Sequence, residues 1–207
     1  MNRIMSLGLD LLWRRLAIRS INLPPAARIL DLACGTGDFT LELARRWPDA
    51  VITGVDLTPE MIELARPKLA GARNVAFSIG DAQELAIAGS ESFDLVVCAF
   101  GFRNFPDKAK ALAECARVLV PGGRLVVLEL FRPGSKLLGA AVNAWLSAIA
   151  WIFAGGARRE YRYLRKSVAG TSSAAEFTAI AQQNGFACSY CRFHPPAATC
   201  LVFRKTA

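Results

Sequence analysis

Apolar and polar positions alternate along the chain in blocks whose period switches between that of a strand and that of a helix. Some apolar blocks are short and nearly continuous, as in 51–55 and 125–128, which is typical of strands buried on both faces of a sheet. The blocks between them repeat apolar residues every three or four positions, as amphipathic helices do. The pattern predicts an α/β fold, Rossmann-like and doubly wound, with a mostly parallel sheet.

The predicted elements follow one another regularly from residue 28 onward. Strands are predicted at 28–32, 51–55, 75–79, 93–99, 124–130, 187–193 and 198–203, and helices at 39–47, 59–69, 107–118 and 173–183. The last two strands form a terminal antiparallel hairpin, which brings the sheet to seven strands. At 207 residues the chain is long enough for one well-cored domain, predicted over 1–207.

Local residues mark several helix ends. Thr58 is predicted to cap the second of these helices with Pro59 at its first position. Ser173 and Glu176 have the spacing of a capping box for the last helix, and Asn184-Gly185 stops it.

Two apolar segments lie outside the alternation. Residues 1–19 form an amphipathic pattern with a basic side and no secretory cleavage site, so we predict an amino-terminal helical lid over 1–24. Residues 137–157 carry no charge and have about the length of a membrane span, roughly 20 residues. Within an α/β chain we favour substrate-covering helices over 134–170, and contact with a bilayer stays open.

Charge narrows the set of partners. The chain has 25 Lys and Arg against 17 Asp and Glu, a formal charge of +8, which suits nucleic acid, anionic substrates or an anionic membrane face. The tract 158–166, with Arg14, Arg15 and Arg19, would attract an anionic bilayer. Because it lacks a nucleic-acid-binding motif, we predict no nucleic-acid partner.

The six cysteines are irregularly spaced and no secretory signal precedes them, which indicates reduced thiols in a cytoplasmic protein. Cys188 and Cys191 have the CxxC spacing, but no second ligand pair accompanies them. We therefore interpret the cysteines as small buried hydrophobic residues and predict no metal.

The turn after the first strand carries the first candidate chemistry. Residues 28–37 read RILDLACGTG, an apolar strand with a carboxylate followed by two glycines, the usual cradle for a nucleoside. A dinucleotide fingerprint needs a third glycine where Thr40 stands. Asp31 would repel a pyrophosphate but pair with the ammonium group of an amino acid. These features favour S-adenosylmethionine.

Further carboxylates follow the next strands at the same edge of the predicted sheet. Asp56 can accept hydrogen bonds from both ribose hydroxyls, and Asp81 can accept one from an adenine amino group, with the Ala82 N–H beside it. Asp38 is a weaker candidate. The alternative is that each carboxylate caps a helix or lies in a solvated turn.

The order strand-GTG, strand-Asp, strand-Asp-Ala and Pro121-Gly122-Gly123 resembles class I S-adenosylmethionine-dependent methyltransferases. The chain is also similar, over nearly its whole length, to the ubiquinone/menaquinone biosynthesis C-methyltransferase family. The segments that carry this second resemblance are MNRIMSLG at 1–8, FGFRNF at 100–105, LELFRP at 128–133 and YRYLRKSV at 161–168.

The resemblance implies methyl transfer from S-adenosylmethionine to a ring carbon of a polyprenyl benzoquinol or naphthoquinol. Arg103 would stabilise the phenolate and Asn104 would orient it, with Glu129 and Tyr161 as further substrate-side candidates. The alternatives are a surface pair of Arg103 with Asp107, a buried turn position for Glu129, and helix packing for Tyr161. The implied cofactor contacts are Asp31, Gly35, Thr36, Gly37, Asp56, Leu57, Asp81, Ala82 and Ala99.

Two departures from the family leave other functions open. The Tyr-Asp pair that precedes the segment matching 1–2 in the family is not in this sequence, and 197–205 replace the family's usual ending. One alternative is a methyltransferase for another hydrophobic or phenolic small molecule, and another is an inactive cofactor-binding partner of a biosynthetic complex. The expected location is the cytoplasm, with peripheral contact at the inner face of the membrane, and a homodimer is left open.

Overall fold

The computed structural model describes residues 8–19, 21–134, 139–140, 142, 144, 170–195 and 197–206. The elements in this part of the chain are α1 (Leu9–Arg19), β1 (Arg28–Leu32), α2 (Asp38–Arg46), β2 (Val51–Asp56), α3 (Pro59–Ala65), β3 (Val75–Ile79), β4 (Phe93–Ala99), α4 (Lys108–Val118), β5 (Leu119–Glu129), α5 (Ala174–Gln183), β6 (Phe186–His194) and β7 (Ala198–Lys205). Two short 3-10 helices, Arg66–Leu69 and Phe102–Asn104, complete them.

The strands form one seven-stranded sheet in the order β3-β2-β1-β4-β5-β7-β6. β1 to β5 run parallel to one another, whereas β7 is antiparallel to both β5 and β6. This confirms the predicted doubly wound sheet and its terminal hairpin. The chain winds outward in one direction from β1 and in the other from β4, so a crevice opens where the carboxyl ends of β1 and β4 lie side by side.

The sheet separates two hydrophobic cores, which explains the nearly continuous apolar strands. Ile29 and Val126 belong to the core beneath α1 and α2, whereas their neighbours Leu30 and Val127 belong to the core beneath α4 and α5. Successive side chains of a strand point to opposite faces, and each face is covered here.

Two predicted boundaries differ from the structure for identifiable reasons, and one predicted cap makes no side-chain hydrogen bond. The helix predicted at 59–69 is α-helical only to Ala65 and continues as a 3-10 turn, because Pro67 lacks the amide hydrogen that an α-helix needs. Thr58 lies at the cap position of α3, but its side chain makes no capping hydrogen bond. β5 begins at Leu119, five residues before its predicted start, since Leu119 pairs with Phe93. The capping box of Ser173 and Glu176 is confirmed.

The interpretation of all six cysteines as buried is wrong for two of them. Cys34, Cys98, Cys115 and Cys200 are buried, but Cys188 and Cys191 are exposed. Both lie on β6, which is the last strand of the sheet and pairs only with β7 among the described residues.

Part of the sequence prediction lies outside the described residues. This applies to 1–7, to most of the predicted covering helices at 134–170 including Tyr161, and to the basic tract 158–166. Among the helices that are described, none combines the length and apolar character needed to cross a membrane.

Candidate active site

The predicted nucleoside cradle is a tight turn between β1 and α2. Ala33, Gly35 and Gly37 have positive φ angles of 53°, 55° and 76°, a region that glycine enters without strain. The Cys34 N–H donates to the Val55 carbonyl at 2.9 Å, and the Gly37 N–H donates to the Cys34 carbonyl at 3.0 Å. The turn is therefore held both to β2 and to itself, at the carboxyl end of the sheet.

Residue 37 is restricted to glycine because α3 and the 3-10 helix after it pack against the turn. A Cβ at this position would lie 2.9 Å from Leu69 Cδ1 and 3.0 Å from Ala65 Cβ, in addition to the strain of its positive φ. We therefore expect Gly37→Ala to destabilise the fold by about 1–3 kcal/mol, measured by urea denaturation. Gly71→Ala is the matched control, since a Cβ there would meet no atom within 4 Å. Equal denaturation midpoints for the two variants would show that the packing around Gly37 is looser than described.

Asp31 is the buried carboxylate beneath the turn. It is 1% exposed, and the Thr40 hydroxyl donates to its Oδ2 at 2.6 Å. Burial raises its pKa from 3.8 to about 7, although the Thr40 hydrogen bond and the positive charge of Arg14 act in the opposite direction. Thr40, which the sequence identified only as the residue where a third glycine is missing, thus holds Asp31 in place.

Asp56 ties the end of β2 to the glycine turn. Its Oδ2 accepts the Gly35 N–H at 2.8 Å, and its Oδ1 accepts the Thr58 N–H at 3.0 Å. The second contact is the local turn role that the sequence left as the alternative. The first contact fixes the cradle across two strands, a function that the sequence did not predict.

Two cavities open around these residues. The larger, about 650 Å³, is lined by Asp31, Gly35, Thr36 and Ala99 among others, and the smaller, about 240 Å³, by Leu57, Asp81 and Ala82. Ala33, Asp56, Gly101 and Asn104 line both. Of the predicted cofactor contacts, only Gly37 lines neither cavity.

Further polar residues that the sequence missed complete the walls. The Lys68 ammonium donates to Thr36 Oγ1 at 2.9 Å and pairs with Asp38 at 3.0 Å. Asp81 accepts the Gln83 N–H at 2.8 Å, and Gln83 Oε1 in turn accepts the Asp107 N–H at 2.8 Å. Lys68 lies on a 3-10 helix and Gln83 carries no charge, so the search for carboxylates at strand ends had no signal for them.

Arg103 and Glu129 form a buried pair behind the cavities. Arg103 Nη1 lies 2.6 Å from Glu129 Oε1 and donates to the Phe100 carbonyl at 2.7 Å, and the Arg103 N–H donates to Glu129 Oε2 at 3.1 Å. The side chains are 7% and 1% exposed, and neither residue lines either cavity. The surface pair with Asp107 does not form, because Asp107 caps α4 instead.

The lining suits S-adenosylmethionine in both charge and size. Three carboxylates line the cavities, Asp31, Asp56 and Asp81, and each can accept hydrogen bonds from the ammonium, hydroxyl or amino groups of such a ligand. A Cβ at Gly35 would meet no atom within 4 Å, so the turn leaves space for a ligand. Together the cavities have the size of a usual small-molecule site, about 300–1,000 Å³.

Comparison with known proteins finds similar proteins that belong to one methyltransferase family. The model of the ubiE/COQ5 methyltransferase family matches residues 1–201. The demethylmenaquinone methyltransferase of Deinococcus radiodurans is 43% identical over 196 residues, which cover 92% of this chain and 80% of that protein. The ubiquinone/menaquinone biosynthesis C-methyltransferase UbiE of Syntrophotalea carbinolica is 39% identical over 190 residues, which cover 90% and 79%.

A solved structure supports the fold alone. A SAM dependent methyltransferase from Aquifex aeolicus superposes with a TM-score of 0.73 at 16% identity, over 99% of this chain and 97% of that one.

Proposed function

Because the chain belongs to the ubiE/COQ5 methyltransferase family and is an S-adenosylmethionine-dependent methyltransferase, we propose that it methylates a ring carbon of a polyprenyl quinol. The observation that carries this proposal is the position of Asn104. The FGFRNF segment places this amide in the wall shared by the two cavities, next to the end of β4. The named substrates of the relatives support the same acceptor class.

When bound, S-adenosylmethionine would supply an electrophilic methyl group to a ring carbon, with S-adenosylhomocysteine as the second product and the proton of that carbon released to solvent. On the protein side, Asp31 would hold the ammonium group, Asp56 the ribose and Asp81 the adenine. The glycine turn brings backbone close to the ligand without side chains in between.

The acceptor ring must be made electron-rich before it attacks. A phenol has a pKa of about 10, and a hydrogen-bond donor at its oxygen favours the phenolate. Asn104 is the amide donor that lines the cavity, so we assign it this contact. Arg103 is held by Glu129 and the Phe100 carbonyl and fixes the turn that carries Asn104, so we assign it a positioning role.

The substrate class is tested with purified protein, S-adenosylmethionine labelled in the methyl group, and a panel of acceptors. The panel contains demethylmenaquinol, a demethoxyubiquinol analogue and a soluble phenol. We expect label in one or both quinols. Label in the soluble phenol alone would indicate a methyltransferase for another phenolic molecule. Label in none of the acceptors would indicate an inactive cofactor-binding partner.

Cofactor affinity should depend on pH through Asp31. The unbound carboxyl has a pKa of about 7 because it is buried, and an ammonium ligand lowers that pKa, so binding releases a proton in weakly acidic solution. We expect S-adenosylmethionine affinity to fall as the pH drops below 7, by up to about tenfold per pH unit. Calorimetry between pH 5.5 and 8 measures this slope.

Asp31→Asn is the control for that titration, because it removes the titrating group and should give weaker, pH-independent binding. The unbound protein should show the opposite trend in stability. Between pH 3.8 and about 7, Asp31 is protonated in the folded state but ionised in the unfolded state. The free energy of unfolding therefore falls as the pH rises through this range. A flat affinity profile for the unaltered protein would show that Asp31 does not face the ammonium group.

A membrane-borne acceptor favours peripheral contact with an anionic bilayer. The outer faces of α1 and α2 present the exposed Arg19 and Arg46 near the exposed Leu12, and such residues attract anionic headgroups at about 1 kcal/mol each. Arg15 and Arg45 lie on the same face but pair with Glu42. Arg14, which the sequence assigned to the same basic side, is buried and does not belong to this face. Co-sedimentation with vesicles of anionic lipid, compared with neutral lipid, tests the contact, and equal sedimentation with both would refute it.

A further inference from the structure

Arg14 occupies an unusual position for a basic residue on an amphipathic helix. It is 6% exposed, its Nη1 lies 2.6 Å from Asp10 Oδ2, and its guanidinium carbon is 5.2 Å from the centre of the Phe100 ring. In the part of the chain that the structure describes, its Nε is buried and has no hydrogen-bond partner. A buried donor without a partner costs about 1–3 kcal/mol, so this guanidinium is suited to receive an acceptor.

The helix that carries Arg14 is fixed in place. The neighbouring Trp13 is 1% exposed, and its indole N–H donates to the Pro195 carbonyl at 3.1 Å. Its ring lies 6.2 Å from that of Phe100, which directly follows β4. Since Trp13 anchors α1 directly beside Arg14, the guanidinium is held at the wall of the cavity.

Arg14 and Asp31 line the same 650 Å³ cavity. They come from different elements, α1 and β1, and the positive charge of Arg14 acts on the Asp31 carboxylate. A buried cation and a buried acid that line one cavity match the two charges of an α-amino acid. The methionine part of S-adenosylmethionine is such a group.

We propose that Arg14 binds the α-carboxylate of S-adenosylmethionine while Asp31 binds its α-ammonium group. The edge of the guanidinium that includes Nε presents two N–H donors side by side. This arrangement matches the two oxygens of a carboxylate. Asp10 occupies Nη1 and so orients the fork as a positioning residue. This proposal rests on the cofactor and not on the quinol acceptor proposed above.

The test compares two ligands that differ only in the α-carboxylate. S-adenosylmethionine and decarboxylated S-adenosylmethionine are titrated by calorimetry, without any acceptor, into the full chain. The variant is Asp10→Asn with Arg14→Gln, because removing Arg14 alone would leave the buried Asp10 charge without that partner. Arg15→Gln is the control, since Arg15 is exposed and pairs with Glu42 outside the cavity.

We expect the unaltered protein and the Arg15→Gln control to prefer S-adenosylmethionine by about 10- to 100-fold. The double variant should lose this preference, with weaker binding of S-adenosylmethionine and unchanged binding of the decarboxylated ligand. A retained preference would overturn the proposal. Equal weakening of both ligands would also overturn it, because it would assign Arg14 to the general structure of the cavity. Since no acceptor is present, failure of the quinol proposal leaves the result unaffected.

Discussion

Glu129→Leu should destabilise the fold by about 3–5 kcal/mol, because it leaves the Arg103 guanidinium buried without its counter-charge. The pair is almost excluded from solvent, with side chains 7% and 1% exposed and Nη1 and Oε1 2.6 Å apart. Glu129 also accepts the backbone N–H groups of Arg103 and Leu130, so the variant removes an acceptor from three donors at once. Urea denaturation of the variant and the unaltered protein measures the loss.

A double variant separates stability from activity. Adding Arg103→Met to Glu129→Leu removes the unpaired charge and should recover most of the stability, since a buried ion pair replaced by apolar residues is often nearly neutral. Methyl transfer should stay low, because the turn that carries Asn104 is no longer held. The control is Arg132→Gln, which breaks an exposed pair with Glu176 and should cost less than about 1 kcal/mol. If Glu129→Leu lowered the free energy of unfolding no more than Arg132→Gln does, the result would contradict the buried pair.

Asn104→Ala should lower kcat by about 10- to 100-fold, because losing a hydrogen bond worth about 1.5–3 kcal/mol to the charged acceptor oxygen leaves less of the bound phenol as the reactive phenolate. Asn104 lines both cavities, whereas Arg103 behind it lines neither. Because we assign the amide to the acceptor oxygen, cofactor affinity should change far less than kcat. Steady-state kinetics with a quinol acceptor, together with calorimetry for the cofactor, separate the two effects.

The controls for Asn104 act on the same measurements. Asn104→Asp keeps the shape but replaces the amide with a carboxylate that repels a phenolate, so it should be at least as slow as Asn104→Ala. Asn22→Ala removes an exposed amide that lines neither cavity and whose backbone carbonyl accepts a hydrogen bond from Arg124, and it should leave kcat unchanged. An unchanged kcat in Asn104→Ala would assign the acceptor contact to another residue.

The architecture of the sheet was predictable because it depends on local pattern. Buried parallel strands need continuous apolar runs, and the ends of those runs place Asp31, Asp56 and Asp81 at one edge of the sheet. The structure brings all three to the linked cavities. The FGFRNF segment likewise makes Asn104 a candidate site residue from the sequence alone.

Other features of the site depend on contacts between distant residues, which the sequence pattern does not contain. Arg14 looked like part of a basic surface, but α1 buries it against Phe100. Arg103 looked like a free phenolate ligand, but it pairs with Glu129, 26 residues away. Thr40 was identified only as a missing glycine, yet its hydroxyl holds Asp31. In each case a tertiary contact decided the role.

The position of the transferred methyl group tests the central claim most directly. The protein is incubated with S-adenosylmethionine carrying a ¹³C-methyl group and with demethylmenaquinol, and the product is examined by carbon NMR, which separates methyl on carbon from methyl on oxygen. The proposed reaction predicts a single methyl group on a ring carbon and one S-adenosylhomocysteine for each product molecule. Methyl on a ring oxygen, or S-adenosylhomocysteine formed without a methylated quinol, would contradict it.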